Sequence, residues 1–265
     1  GQTTSRTANF TVKDPVVPSD FNLVLSDNGV SLYRKNISTT VAYFVQVVKL
    51  NQGASVRLLH GTIGDPGIGQ GPYGGNNPTF NRTTLPTAWT NFSNANSGAF
   101  CITNGQFFST NANPTPLAFP LKKDGSIVSD GYGSVNEYPG QTLILELWSN
   151  RADVRSLTQN NLYTSLAPNI LGGLSEHADK GINSYVARTF IGIDDADSNG
   201  TYETILIFNS SSARQPDAAS TLRAFGADKV IMLDGGGSTQ FSCRGSNYIP
   251  SSRTIPQTIG VVKGN

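Results

Sequence analysis

One aspartate in this chain stands where a carboxylate has chemical use. In "VIMLDGGGSTQF", Val230 to Phe241, four apolar residues end in Asp234, followed at once by Gly235, Gly236 and Gly237 and then by Ser238 and Thr239. The apolar run reads as a short interior strand, continuous rather than alternating in polarity. Three glycines remove every side chain just beyond its end, so the backbone can take positive φ and another group can approach closely. A carboxylate beside open amides and two hydroxyls can act on a proton or a carbon while its neighbours bind oxygens. A strand-end turn closed by an Asx hydrogen bond would also use the aspartate, but it explains neither the third glycine nor the paired hydroxyls. No Gly-Lys-Ser/Thr triplet follows, as a phosphate loop needs, and Ser238 lacks the G-x-S-x-G frame of a serine-hydrolase elbow.

Two other stretches hold polar groups in apolar company. "CITNGQFF" places Asn104 at a strand end before Gly105 and Gln106. An amide that both donates and accepts suits sugar hydroxyls, although a turn before two core phenylalanines accounts for the same residues. "ARTFIGID" sets Arg188 and Thr189 in an apolar strand, where a guanidinium needs a partner: a structural carboxylate or an anionic substrate group. In "DDADSNGTYE", Asp195, Asp197, Asn199 and Gly200 match the first half of a calcium loop, but its last position falls on Leu206. An Asn-Gly hairpin turn explains those residues and is preferred. His60 and His177 are the only histidines, and neither neighbours a second metal-ligand candidate, so no metal site and no cofactor is expected. His60, bordering a glycine-dense stretch, is a weak candidate acid or base.

The elements that must position these groups are mostly strands. Residues 1 to 20 read as a polar, proline-ended tail or linker, and 21 to 265 as one domain. "GVSLYRK", "TVAYFVQVVKL" and "ASVRLLH" are rich in β-branched and aromatic residues. "GTIGDPGIGQGPYGGNNP" is too glycine-dense for a regular element and reads as a long functional loop. "TTLPTAWTNFSNAN" predicts a helix with a proline in its first turn, and "PDAASTLRAFGA" a second that ends at Gly226 and leads into the Asp234 strand. "PLAFPLKKDGSIVS" predicts a hairpin turning at Asp-Gly, "QTLILELW" and "RADVRSL" a strand pair, and "YVARTFIGID" with "ETILIFNS" a further hairpin. Many strands, few helices and no repeat predict a single α+β domain of mixed or antiparallel sheets.

Bulk properties narrow the partners. Of 265 residues 37% are apolar and only 14% charged, with a net charge of +1. No basic stripe offers a footprint for nucleic acid. The longest apolar run, "VAYFVQVV", is far too short for a membrane span. The chain begins without a basic-then-apolar leader, so any signal peptide is expected to have been removed or never present. Cys101 and Cys243 form no metal-spaced pair; they are two buried thiols or one disulfide. Each lies close to one of the glycine-containing motifs, which favours a disulfide made in an oxidising compartment.

In order, "TNGQFF", "ARTFIGID" and "TLRAFGADKVIMLDGGGST" resemble the phosphodiester glycosidase family, which includes the lysosomal uncovering enzyme. The family's pattern is Asn-(Ala/Gly)-Gly-Phe-Phe, then a strand with Arg-Thr-x-x-Gly, then a helix leading to Leu-Asp-Gly-Gly-Gly-Ser. The resemblance spans roughly 41 to 262. It implies catalytic roles for Asp234, Arg188 and Asn104, and substrate contacts from Thr189, Gly105, Gln106, Gly235, Gly236, Gly237, Ser238 and Thr239. Gln106 stands where the family usually has glycine, which predicts a bulkier and more polar pocket wall.

The activity this implies is that of a secreted hydrolase cleaving a glycosidic bond, with a carbohydrate or sugar phosphate as its partner. A sugar-1-phosphodiester suits a lone carboxylate, because the departing phosphomonoester has a second pKa of only about 6 and needs little protonation. A glycosidase of extracellular or cell-wall polysaccharide would need a second carboxylate, for which Glu146 and Asp194 are candidates. A non-catalytic carbohydrate-binding domain would instead use the aromatics of "GPYGG" and "NFSN".

Overall fold

The structure is a computed structural model that describes residues 16–133 and 137–265. Most of the predicted tail lies outside the described residues. From the N-terminal side, the elements are β1 (Asn22–Asp27), β2 (Val30–Asn36), β3 (Ala42–Lys49), β4 (Ser55–His60), β5 (Thr79–Phe80) and α1 (Leu85–Ala95). Then come β6 (Ala99–Asn104), β7 (Thr115–Pro116), β8 (Leu121–Lys123), β9 (Ser126–Ser129), β10 (Thr142–Leu147), β11 (Ala152–Ser156) and the short α2 (Gln159–Thr164). β12 (Asn169–Leu174), β13 (Val186–Asp194) and β14 (Thr204–Ala213) lead to α3 (Gln215–Ala224). β15 (Lys229–Met232), β16 (Phe241–Cys243), β17 (Ser246–Ile249) and β18 (Gln257–Val262) follow.

The architecture is α+β. The main path of the large sheet runs β1-β2-β3-β14-β13-β15-β12-β10-β11, with the β8–β9 hairpin attached to β12; the second sheet runs β17-β16-β6-β18-β4. Every pairing among these strands is antiparallel. Alternation along β3 sends Phe44 and Val48 toward one core and Val45 and Val47 toward another. The first core lies between the sheets, where Phe44 and Ile207 share a cluster with Ile102, Phe241 and Ile259. The second is covered by α3 through Ala218, Leu222 and Phe225. The central strands are therefore buried on both faces, which is why β15 is continuously apolar instead of alternating.

Local chemistry sets the element ends. Thr84 caps α1 by accepting the Thr87 N–H, and Asp217 accepts the Arg214 N–H at the start of α3. The Asp-Gly hairpin turns through Asp124 and Gly125, both at positive φ (49° and 87°), as a type I′ turn requires. No helix among the described residues is long and apolar enough to cross a membrane.

Cys101 and Cys243 are joined in a disulfide, directly opposite one another across β6 and β16 with their Cα atoms 4.0 Å apart. The bridge fastens the strand that ends in Asn104 to the one that follows Asp234. Replacing both cysteines by alanine is expected to lower stability by about 2–4 kcal/mol. Urea denaturation measures this, and an unmoved midpoint would show the bridge to be energetically idle.

Candidate active site

Asp234 is pinned where the two sheets meet. The Leu233 N–H donates to the Thr189 carbonyl of β13 at 3.0 Å, and the Asp234 N–H donates to the Gly105 carbonyl after β6 at 3.2 Å. Beneath it, the inward faces of both sheets carry a buried polar network. Asn104 donates from Nδ2 to the Asp234 carbonyl at 2.8 Å, and its Oδ1 accepts from the Thr189 hydroxyl at 2.8 Å and from the Gln240 N–H at 3.3 Å. Asn209 of β14 donates to the Thr103 and Thr189 hydroxyls at 2.8 and 3.1 Å. Asn104 is only 1% exposed. It holds the backbone that bears the carboxylate. Asn209 is a buried member of the same network that no catalytic or binding motif in the sequence marks.

The three glycines have separate reasons. A side chain on Gly235 would press on the Ala187 carbonyl, with a Cβ at 2.7 Å. Gly236 sits at φ 58° facing open space, the left-handed conformation that side chains disfavour. At Gly237 a Cβ would meet the Arg253 guanidinium at 2.7 Å. One glycine serves packing, one the turn, and one makes room for a cation.

A cavity of about 230 Å³ opens over this turn, lined by Phe107, Lys180, Arg188, Asp234, Gly235 and Gly236 together with Val186, Met232 and Leu233. Asp234 is its one carboxylate. Burial pushes that carboxyl up to about 6, against the opposing pull of the Ser238 hydroxyl, the Gly235 N–H at 2.9 Å and the charges of Arg253 and Lys180. Neither of these cations is in an ion pair among the described residues. Lys180 Nζ lies 5.1 Å over the Phe107 ring, and Arg253 donates to the Ser238 hydroxyl at 3.2 Å. No local pattern marks Lys180 or Arg253 in the sequence, because each reaches the site from a separate loop. The exposed Tyr132 also lies within the field of Asp234, which helps raise its phenol above the usual value after burial and Glu137.

Arg188 has no carboxylate partner among the described residues. Its guanidinium donates to four backbone carbonyls: Ala213 at 3.2 Å, Lys180 at 3.0 Å, Gly181 at 2.6 Å and Ser184 at 3.1 Å. The side chain edges the cavity, and three of these four bonds hold the loop that presents Lys180, leaving one of the five guanidinium N–H donors outside them. Gln106 is also not a pocket wall. Its amide is buried, accepting from the Phe119 N–H at 2.8 Å and donating to the Pro120 carbonyl at 3.1 Å. Gly105 is required by packing, since a Cβ there would fall 1.6 Å from Gln257 Oε1. Thr189 and Ser238 are fully buried, and the buried Thr239 hydroxyl has no hydrogen-bond partner.

The candidate second carboxylates stay away. Asp194 ends β13 beside Asp228, about 17 Å along the strand from Thr189 at ordinary strand rise; burial and the charges of Asp228, Glu203 and Asp195 push it up to about 7. Glu146 on β10 is taken by a two-pronged pair with Arg155 and by the Ser165 hydroxyl. His60 lines a separate, larger cavity of about 350 Å³ that contains no carboxylate. Phe92, one of the proposed sugar-stacking aromatics, is 2% exposed and belongs to the core, and Tyr73 is partly buried.

The class is a strand-rich α+β domain that sets one carboxylate, Asp234, where two sheets meet, within the field of Lys180 and Arg253. The profile of the family described as "Phosphodiester glycosidase" matches residues 81–262, and the chain belongs to that family. Among solved structures it is similar to the zebrafish N-acetylglucosamine-1-phosphodiester alpha-N-acetylglucosaminidase catalytic domain auto-inhibited by its pro-peptide. That match has 16% identity and a TM-score of 0.56, over 100% of this chain and 87% of that one. It is also similar to a hypothetical protein from Synechocystis, at 13% identity and a TM-score of 0.56, covering 93% of this chain but 64% of that longer one. No curated protein matches the chain. At these identities the likeness shows the fold.

Proposed function

We propose that this protein is an extracytoplasmic hydrolase that cleaves the glycosidic bond of a sugar-1-phosphodiester. The observation that carries this reading is a single elevated carboxylate, Asp234, in a cavity it shares with Lys180, with the charge of Arg253 also acting on it; neither cation is in an ion pair among the described residues. Asp234 supplies the charge that acts on the anomeric carbon, directly or by taking a proton from the attacking water. The anomeric C–O bond breaks with its electrons passing to the phosphate oxygen. Lys180 and Arg253 stabilise the charge gathering there, so a poor acid at the site is no handicap. Among the described residues the cavity lining holds no second carboxylate, which favours a phosphodiester over an ordinary glycoside, whose alkoxide needs a proton on departure. The disulfide favours an oxidising compartment.

The test is a parallel screen of sugar-1-phosphodiesters and of glycosides with neutral aglycones. Turnover confined to the second class would overturn the reading. Lys180→Ala and Arg253→Ala are each expected to lower kcat/KM on the phosphodiester by about 10- to 100-fold, the loss of one charge-assisted contact. Equal losses on both substrate classes would remove the anion-binding role from these cations.

A further inference from the structure

We infer that the connection between β13 and β14 is a calcium-binding loop, with the carboxylates of Asp195, Asp197 and Glu203 as its protein ligands. Ligand oxygens of these three residues all lie within 4.8 Å of one another. The hairpin turn accounts for part of this arrangement. Asp195 accepts the Asn199 N–H at 2.9 Å and the Gly200 N–H at 2.7 Å, and Asp197 accepts from the Asn199 amide at 2.9 Å. Turn geometry does not account for Glu203. Its residue is 5% exposed, its Oε1 accepts the Ala196 N–H at 3.1 Å, and its Oε2 is buried without any hydrogen-bond partner. A carboxylate oxygen buried bare beside two further carboxylates is costly unless a cation joins them. No ion pair among the described residues supplies one to Asp195, Asp197 or Glu203.

The spacing fits a hard cation. Oxygen donors fall at the first, third and fifth positions (Asp195, Asp197, Asn199) and glycine at the sixth (Gly200), as in a calcium loop. The twelfth position is Leu206, locked into the core of β14, so a helix-type loop cannot close. Here the chain enters the strand at Thr204, and this swings the ninth position, Glu203, inward to close the cluster instead. An all-oxygen set without histidine or cysteine selects calcium or magnesium over zinc or copper. An irregular loop with few fixed ligands favours calcium, since magnesium demands near-octahedral order. The loop joins the two strands that carry Thr189 and Asn209, but at their far end from Asp234. The ion's effect is therefore on stability, and it is independent of the proposed reaction.

The experiment is isothermal titration of calcium chloride into chelator-treated protein, alongside thermal unfolding with and without the ion. One site is expected, with Kd on the order of 10⁻⁵ to 10⁻³ M, and a Tm rise of about 5 °C at saturating calcium. Magnesium should bind at least about 10-fold more weakly. Asp197→Asn, at a partly exposed position where folding is not at risk, should weaken calcium binding about 10-fold or more. Glu203→Gln should abolish the calcium-dependent Tm rise while folding normally. Absence of both binding heat and Tm shift in the parent protein, or calcium affinity unchanged in Asp197→Asn, would overturn the assignment.

Discussion

Asp234→Asn is expected to lower kcat on a sugar-1-phosphodiester by about 10³-fold or more, the scale on which catalytic carboxylates and their neighbours act. The substitution is nearly isosteric. An asparagine Oδ1 can still accept the Gly235 N–H, and the backbone of residue 234 stays clamped by Asn104 and Gly105. Any large loss therefore belongs to the chemistry. The pH dependence gives an independent signature. The folded carboxyl is raised to about 6 from its ordinary 3.8, and the reaction uses its ionised form, so kcat should rise with pH through about 6 and level above it. Stability carries the opposite sign. A raised carboxyl favours the folded state fully below the unfolded value near 4, and that contribution is lost as pH rises through 6. At pH 7 Asp234→Asn should therefore be at least as stable as the parent protein. A dead variant that is also unfolded would leave the carboxylate unproven, so circular dichroism accompanies the kinetics. Equal turnover by a folded Asp234→Asn would sink the catalytic assignment.

Arg188→Ala is expected to cost about 2–3 kcal/mol of stability, because it strands the buried carbonyl of Ala213 and the part-buried carbonyls of Lys180, Gly181 and Ser184 together. Arg188→Lys should lie between, since one ammonium cannot span donors arranged for a fork. Activity should fall with the order of the loop that carries Lys180, and it should fall less than in Asp234→Asn. Urea denaturation and kinetics on the same preparations separate this from direct substrate binding. If Arg188 gripped the phosphate, stability would hardly move while kcat/KM collapsed on the anionic substrate alone. That pattern would restore a substrate-binding arginine.

Much of the domain is local enough to be read from the chain. β3, β13 and β14 announce themselves by β-branched runs, the helices by Pro86 and Pro216 near their starts, and the β8–β9 hairpin by Asp124-Gly125. β12 does not, because Gly172 and Gly173 interrupt its apolar run. Those glycines exist for neighbours the sequence does not display: a Cβ on the first would collide with Phe119, and one on the second with the Met232 carbonyl. The short β16 and β17 and the longer β18 become strands largely through pairing, β17 on β16, β16 on β6, and β18 between β6 and β4.

The site divides in the same way. The Leu-Asp-Gly-Gly-Gly-Ser run by itself determined where the carboxylate stands, since strand, turn and close approach are all properties of contiguous residues. Which cations face it was decided only by tertiary structure. Arg188 reads as a lone charge seeking an anion because its real partners are carbonyls of loops four to twenty-five residues away. Gln106 reads as a pocket wall because its Phe119 and Pro120 contacts come from beyond the next strand. Lys180 and Arg253 read as ordinary surface residues until two loops bring them to Asp234. Backbone hydrogen-bond acceptors carry no signature in side-chain sequence, and electrostatic fields add in space without regard to chain order. Those two facts separate what this sequence determines from what only its fold decides.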